Sequence, residues 1–355
     1  MHFDDGQIPV EYSRHIRRKV LFISGGLLLT IMVLISSIGM GPVSISPLQA
    51  LLTMMGETVS KRFDLIIWNI RLPQALTAVA AGAGLSVAGA VMQAILRNPL
   101  GSPFTLGISH AAAFGAAISV MVLDLGTMTS SNVGAVTINS PYLTTAVSFC
   151  FSLIATFAII AISRLRRATP EVMVLTGVAL GALFTAGTMF LQYFADDVQL
   201  AAMVFWTFGD VARATWTELG IISAVTFAAY IWFTLNRWNF NAIEAGDETA
   251  KGLGVKVERV RLTGMLLASL VTAVIVSFLG IIGFVGLVCP HMVRRLIGDD
   301  YRFLLPASCI TGAILLLGAD TAARLMLAPN VLPVSVLTAF LGAPVFIWLI
   351  IRGNK

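Results

Sequence analysis

Asp, Glu, Lys and Arg make up only 12% of this 355-residue chain, so each ionisable side chain inside an apolar stretch is a candidate for chemistry. His291 follows Pro290 in such a stretch. Its imidazole has the type needed for a proton relay, while its place beside Pro290 and near Arg294 fits a structural group at the cytoplasmic interface. Asp320 and Arg324 stand at i,i+4 and share a helix face. They either close a local ion pair or leave the planar fork of Arg324 to a carboxylate on another protein. A third place is Arg97-Asn98-Pro99-Leu100-Gly101-Ser102-Pro103. Pro99 drives Asn98 out of the helical region, and Gly101 and Pro103 prevent early resumption. Irregular backbone near membrane depth persists only where protein or a watery cavity satisfies it, so this segment reads as an ordinary turn or as a pathway-lining element. Cys150, Cys289 and Cys309 lie in apolar segments with neither metal-ligand spacing nor an evident disulfide pairing, and read as small core residues.

Motifs for self-contained chemistry are missing. The chain has no G-x-x-x-x-G-K-[ST] phosphate loop, no HExxH, no GxSxG and no clustered His and Cys. It is therefore expected not to be an enzyme and not to hydrolyse a nucleotide alone. Charge concentrates instead between Asn236 and Arg261, a polar island holding Arg237, Glu244, Asp247, Glu248, Lys251, Lys256, Glu258, Arg259 and Arg261. Ala242 to Ala250 has helix-forming composition around Gly246, and Gly252 and Gly254 stop the helix sharply. Two short helices in water are expected, with Ala245, Gly246, Ala250 and Gly254 small enough for a partner surface to approach. In this reading the island's charges matter less than its glycines and alanines.

The elements that position these residues follow from composition. Hydrophobic residues make up 57% of the chain and the mean hydropathy is +0.89, which defines an all-α integral membrane protein. Hydropathy and breakers give ten spans: 20–40, 72–96, 104–124, 141–163, 171–194, 216–235, 260–280, 284–297, 303–323 and 333–351. The eighth is short for a crossing and reads as partly re-entrant. Residues 1–19 are polar and end in Arg14, Arg17, Arg18 and Lys19. The run from Val20 to Met40 is too long for a signal-peptide core, so it is the first helix, entered from the cytoplasm. Most of the 23 Lys and Arg residues then fall in cytoplasmic links, leaving Lys61, Arg62, Arg71, Arg213 and Arg324 outside. The expected organisation is a cytoplasmic segment 1–19, one transmembrane domain 20–351 with a cytoplasmic loop 236–261, and a cytoplasmic end 352–355. The net charge of +5 encodes this topology and does not point to nucleic acid. Ala80-Ala81-Gly82-Ala83-Gly84 and Ala88-Gly89-Ala90 place the second span at the centre of the bundle.

A set of ordered motifs resembles the permease family of the ATP-driven importers for iron-siderophores, haem and cobalamin, the type II ABC importers. They are R-L-P-Q (71–74), G-A-V-M-Q-A-I-L-R-N-P-L (89–100), L-G-I-S-H-A-A (106–112), T-G-V-A-L-G (176–181) and A-K-G-L-G-V (250–255). G-F-V-G-L-V-C-P-H-M-V-R (283–294), D-T-A-A-R (320–324), L-P-V-S-V-L-T-A (332–339) and L-G-A-P-V-F-I-W-L (341–349) follow. The resemblance spans Trp68 to Arg352. It implies a homodimer of ten-helix subunits around a central pathway, in a bacterial or archaeal cytoplasmic membrane, with two cytoplasmic ATPase subunits below and a periplasmic binding protein above. ATP and Mg would be bound by the ATPase, and this chain would bind no cofactor or metal. The resemblance assigns binding-protein docking to Arg71, Gln74 and Arg324, with Gln74 replacing the family's second arginine. It assigns a cytoplasmic gate to Asn98 and Leu100, and ATPase coupling to Ile243, Glu244, Ala245, Gly246, Ala250, Gly252, Leu253 and Gly254. The usual G-P-I-G turn reads Gly280-Ile281-Ile282-Gly283, without its proline. The implied cargo is a metal chelate of the siderophore, haem or cobalamin kind, or an oxyanion.

Two other classes compete. An ion-gradient transporter calls for paired intramembrane acids or broken helices at the midplane, and Asp320, the acid best placed for that, lies near an outer end. A membrane-embedded enzyme calls for a nucleophile–base or metal set, which the chain does not have.

Overall fold

A computed structural model describes the chain apart from residues 1–9, 42, 44, 58–59, 123–125, 129–135, 139–140, 166–168, 328–329 and 352–355. Residues 1–9 of the expected 1–19 segment and the whole of 352–355 thus lie outside the described residues. Helix α1 (Val10–Gly39) is followed by α2 (Pro47–Met54) and α3 (Lys61–Ile66), which runs through a π turn at Ile67–Arg71 into α4 (Leu72–Leu96). After α5 (Ile108–Val122), strands β1 (Gly126–Met128) and β2 (Val136–Ile138) pair antiparallel. Then come α6 (Pro141–Leu165), α7 (Pro170–Phe194), α8 (Asp197–Thr207) and α9 (Trp216–Leu235). The polar island folds as α10 (Arg237–Glu244) and α11 (Asp247–Gly252). Helices α12 (Val257–Leu279), α13 (Val285–Ile297), α14 (Tyr301–Met326) and α15 (Val334–Ile351) complete the chain.

The ten expected spans correspond to α1, α4, α5, α6, α7, α9, α12, α13, α14 and α15. Helix α1 begins ten residues before the expected span, at Val10. Its basic turn is therefore helical, and Lys19 lies over the Phe303 ring at 5.1 Å. Helix α13 has 13 residues, about 20 Å at the α-helical rise, short of a ~30 Å hydrocarbon core. Non-helical backbone at Gly280–Phe284 leads into α13, packed against protein. Asp210 N–H donates to Leu279 O at 2.8 Å, and Ile281 bridges to Phe208.

Helix α4 is the centre, as its small residues require. Nearly its whole length is buried. A Cβ on Gly89 would sit 1.7 Å from Gly286 O, and one on Gly82 would sit 2.3 Å from Gly312 O. Glycine alone lets α13 and α14 approach α4 this closely. In lipid, where apolar burial gives helices no net drive, such backbone approach is what packing rests on.

Candidate functional site

Helix α4 ends where the first cluster begins. Arg97 takes a left-handed conformation (φ 46°, ψ 39°), and its N–H and that of Asn98 donate to Ala94 O and Gln93 O, both at 3.1 Å. This Schellman-type ending satisfies carbonyls the helix leaves open. Asn98 Oδ1 then accepts from the Leu100 N–H at 2.9 Å, and Gly101 N–H donates to Asn98 O at 2.9 Å. The Asn98 side chain is thus spent on shaping the turn, while Leu100 projects from it, 44% exposed. Glycine supplies the next bend: Gly107 (φ +80°) lies against the backbone of Gly177 and Gly181.

A cavity of about 430 Å³ adjoins this turn, with Asn98, Gln93, His291, Arg294 and Glu244 in its wall. It joins the turn to α10. His291 has neither ring nitrogen hydrogen-bonded and packs edge-on to Phe346 at 6.3 Å. No described donor or acceptor chain passes through it, which favours the structural reading over the relay.

The α10–α11 pair is amphipathic in a way its composition did not reveal. Ile243 and Ala250 are fully buried in this chain, whereas Ala245, Gly252, Gly254 and Leu253 are exposed, Leu253 by 71%. Gly246 (φ +122°) and Gly254 (φ +84°) occupy conformations that L side chains rarely adopt. The expectation that Ala250 admits a partner is corrected: it packs inward, and Ile243 with it. Two of the island's carboxylates are engaged within the chain. Glu244 pairs with Arg294 across 50 residues of chain, and Asp247 makes a two-oxygen pair with Arg261 at 2.8 and 3.1 Å. Burial pushes the Glu244 carboxyl above its ordinary value against the pull of Arg294. Sequence reasoning named Arg261 and Arg294 without their partners and did not single out Tyr301 or Asn241 at all. Their only signal was polarity at the edges of apolar helices.

At the opposite end of α4 the arginines expected to face a binding protein are turned inward. Arg71 and Arg324 are both buried. Arg71 donates to Ile38 O at 2.8 Å, to Gly39 O at 3.0 Å and to Val43 O. Arg324 donates to Ser37 Oγ at 2.6 Å and to Met40 O at 3.3 Å. Both satisfy the end of α1, whose last turn carries no basic residue of its own. Arg324 also pairs with Asp320 at 3.1 Å, the local pairing left open by the spacing. Gln74 Nε2 donates to Asp320 Oδ1 at 2.9 Å. Gln74 therefore completes an internal network where a second arginine would add an unbalanced buried charge.

A buried small-residue helix, an irregular turn at its C-terminal end and an exposed helix pair beside that turn are the features that the comparisons with known proteins place in one class, the ABC importer permeases. The chain belongs to the FecCD transport family, whose profile matches residues 28–352. It is 53% identical to a Methanocaldococcus jannaschii protein named as an ABC transporter permease, covering 98% of this chain and 99% of that one. The hemin transport system permease protein of Yersinia pestis is 36% identical over 93% of this chain and 95% of its own. A solved structure described as an inward-facing conformation of a metal-chelate type ABC transporter superposes with a TM-score of 0.80 at 29% identity, covering 93% of this chain and 98% of that one. The chain is a multi-pass membrane protein of the type II metal-chelate importer permeases.

Proposed function

We propose that this chain forms the pathway through which a metal chelate of the siderophore, haem or cobalamin kind crosses the cytoplasmic membrane by alternating access. Two copies enclose the pathway, both termini face the cytoplasm, and a separate ATPase binds Mg-ATP and hydrolyses it. A binding protein delivers the cargo from outside. The observation that carries this reading is the α10–α11 pair. It presents exposed Ala245, Gly252, Leu253 and Gly254 to water, while Glu244 shares a cavity wall with Asn98. A force applied to the outer face of this pair thus acts beside the turn that bears Leu100. Asn98 holds the turn in shape, and the apolar side chain of Leu100 obstructs the path.

An ion-gradient mechanism draws less support. Asp320, the acid it would use, is committed to Arg324 and Gln74. The docking role of Arg71, Gln74 and Arg324 takes a changed form: these residues hold the outer rim on which a binding protein would rest, instead of contacting its carboxylates directly.

The reading is tested with the permease, its ATPase and its binding protein together. Addition of the chelate that raises the binding protein's melting temperature is expected to stimulate ATP hydrolysis by the reconstituted complex. A complex that neither retains an ATPase nor responds to any loaded binding protein contradicts it.

A further inference from the structure

Two chains of contacts lead from the cytoplasmic helix pair to one stretch of α4. In the first, Asp247 at the start of α11 accepts from both Nη atoms of Arg261. Arg261 is 2% exposed, and its Nε donates to Ile95 O at 2.8 Å. Ile95 O is among the last four carbonyls of α4, which have no partner within the helix. A single planar guanidinium thus joins α11, α12 and the final turn of α4. In the second, Glu244 of α10 pairs with Arg294 of α13, which donates to the Tyr301 hydroxyl at the start of α14. That hydroxyl donates to Ala90 O of α4 at 3.2 Å. Asn241 of α10 reinforces it by accepting from Tyr301 N–H at 2.9 Å.

The first chain ends at Ile95, beside the left-handed Arg97 and the Asn98–Leu100 turn, and the second about two helical turns earlier, at Ala90. The cavity between Glu244 and Asn98 leaves that turn room to shift. Coupling between separated sites is carried by packed elements and hydrogen-bonded networks of this kind, whereas a buried ion pair in itself is a poor source of stability. We propose that Arg261 is the positioning residue that transmits displacement of α11 to the Asn98–Leu100 turn, with Arg294 and Tyr301 transmitting that of α10. This deepens, and rests on, the reading of α10–α11 as the ATPase contact.

The test uses the reconstituted complex with Leu100→Cys as a reporter, in a chain whose Cys150, Cys289 and Cys309 are replaced by serine or alanine. A maleimide labels the reporter with and without ATP and vanadate, and melting temperature and ATPase retention are followed in parallel. Asp247→Asn keeps shape and removes one charge at a partly exposed, inward-turned side chain. Arg261→Lys keeps the charge but cannot bridge carboxylate and carbonyl with one rigid plane. With Asp247 and Arg261 intact, nucleotide is expected to change the labelling rate about tenfold. In both variants that change falls to about threefold or less, the remainder passing through Arg294 and Tyr301, although the ATPase remains bound and hydrolyses ATP. Nucleotide-dependent labelling that persists undiminished in both variants overturns the proposal. If labelling does not respond to nucleotide even with both residues intact, the ATPase-contact reading fails and the proposal falls with it.

Discussion

Arg71 shows how a residue type can be legible while its use is not. The family resemblance gave it to a docking partner, but α1 ends on open carbonyls with no cation in its last turn, and Arg71 serves them. Arg71→Ala is expected to destabilise the detergent-solubilised protein by about 2–3 kcal/mol, since hydrogen bonds from a charged donor to buried acceptors are lost. A docking arginine would instead weaken binding-protein association with the melting temperature unchanged, so the two measurements together decide. Asp300 gives a pH signature. It caps α14 by accepting from Arg302 N–H at 3.0 Å, and also accepts from Arg302 Nε at 2.8 Å and Asn241 Nδ2 at 3.3 Å. Burial acts to raise its pKa, but these hydrogen bonds outweigh it and hold the carboxyl below its ordinary value of 3.8. A lowered folded-state pKa means stability that is present above the unfolded value and lost as pH falls through the folded one. Asp300→Ala should cost about 1 kcal/mol near neutral pH, and the gap in melting temperature from the parent protein should narrow as the pH is taken below 4.

At the scale of elements, periodicity and breakers marked the spans well because apolar length is a direct requirement of the bilayer. The stop at Asn98-Pro99 and the glycines of α4 were equally readable, since each imposes a backbone outcome on its own. What stayed hidden was pairing across distance. Nothing local in Arg261 says that Ile95 lies beside it, and α10 and α11 were placed without knowing which face turns inward. Leu253, 71% exposed, is the apolar side chain that the proposed ATPase contact would use. Leu253→Asp is expected to abolish co-purification of the ATPase while leaving the permease's melting temperature unchanged, because the side chain touches little of its own chain. Leu100→Gly acts on the other element. It should raise chelate leak from reconstituted vesicles without ATP, as measured by efflux of preloaded cargo, and an unchanged leak would count against a gate at this turn.

The whole molecule is a bundle built around α4, with a buried polar network at each end. The outer network of Arg71, Gln74, Asp320 and Arg324 fastens α1 to α4 and α14. The inner one fastens the α10–α11 pair to α4, α12, α13 and α14. Between them the chain holds no described cluster of His, Cys, Asp and Glu able to bind a metal. On the proposed function, work done on cargo arrives as motion of the α10–α11 pair, passed on through the inner network. The most direct test is uptake of the chelate that the binding protein recognises, into vesicles carrying the permease, ATPase and binding protein. ATP supplied on the ATPase side with no ion gradient is expected to drive accumulation, and a gradient without ATP is expected to drive none. Accumulation driven by the gradient alone would contradict the account.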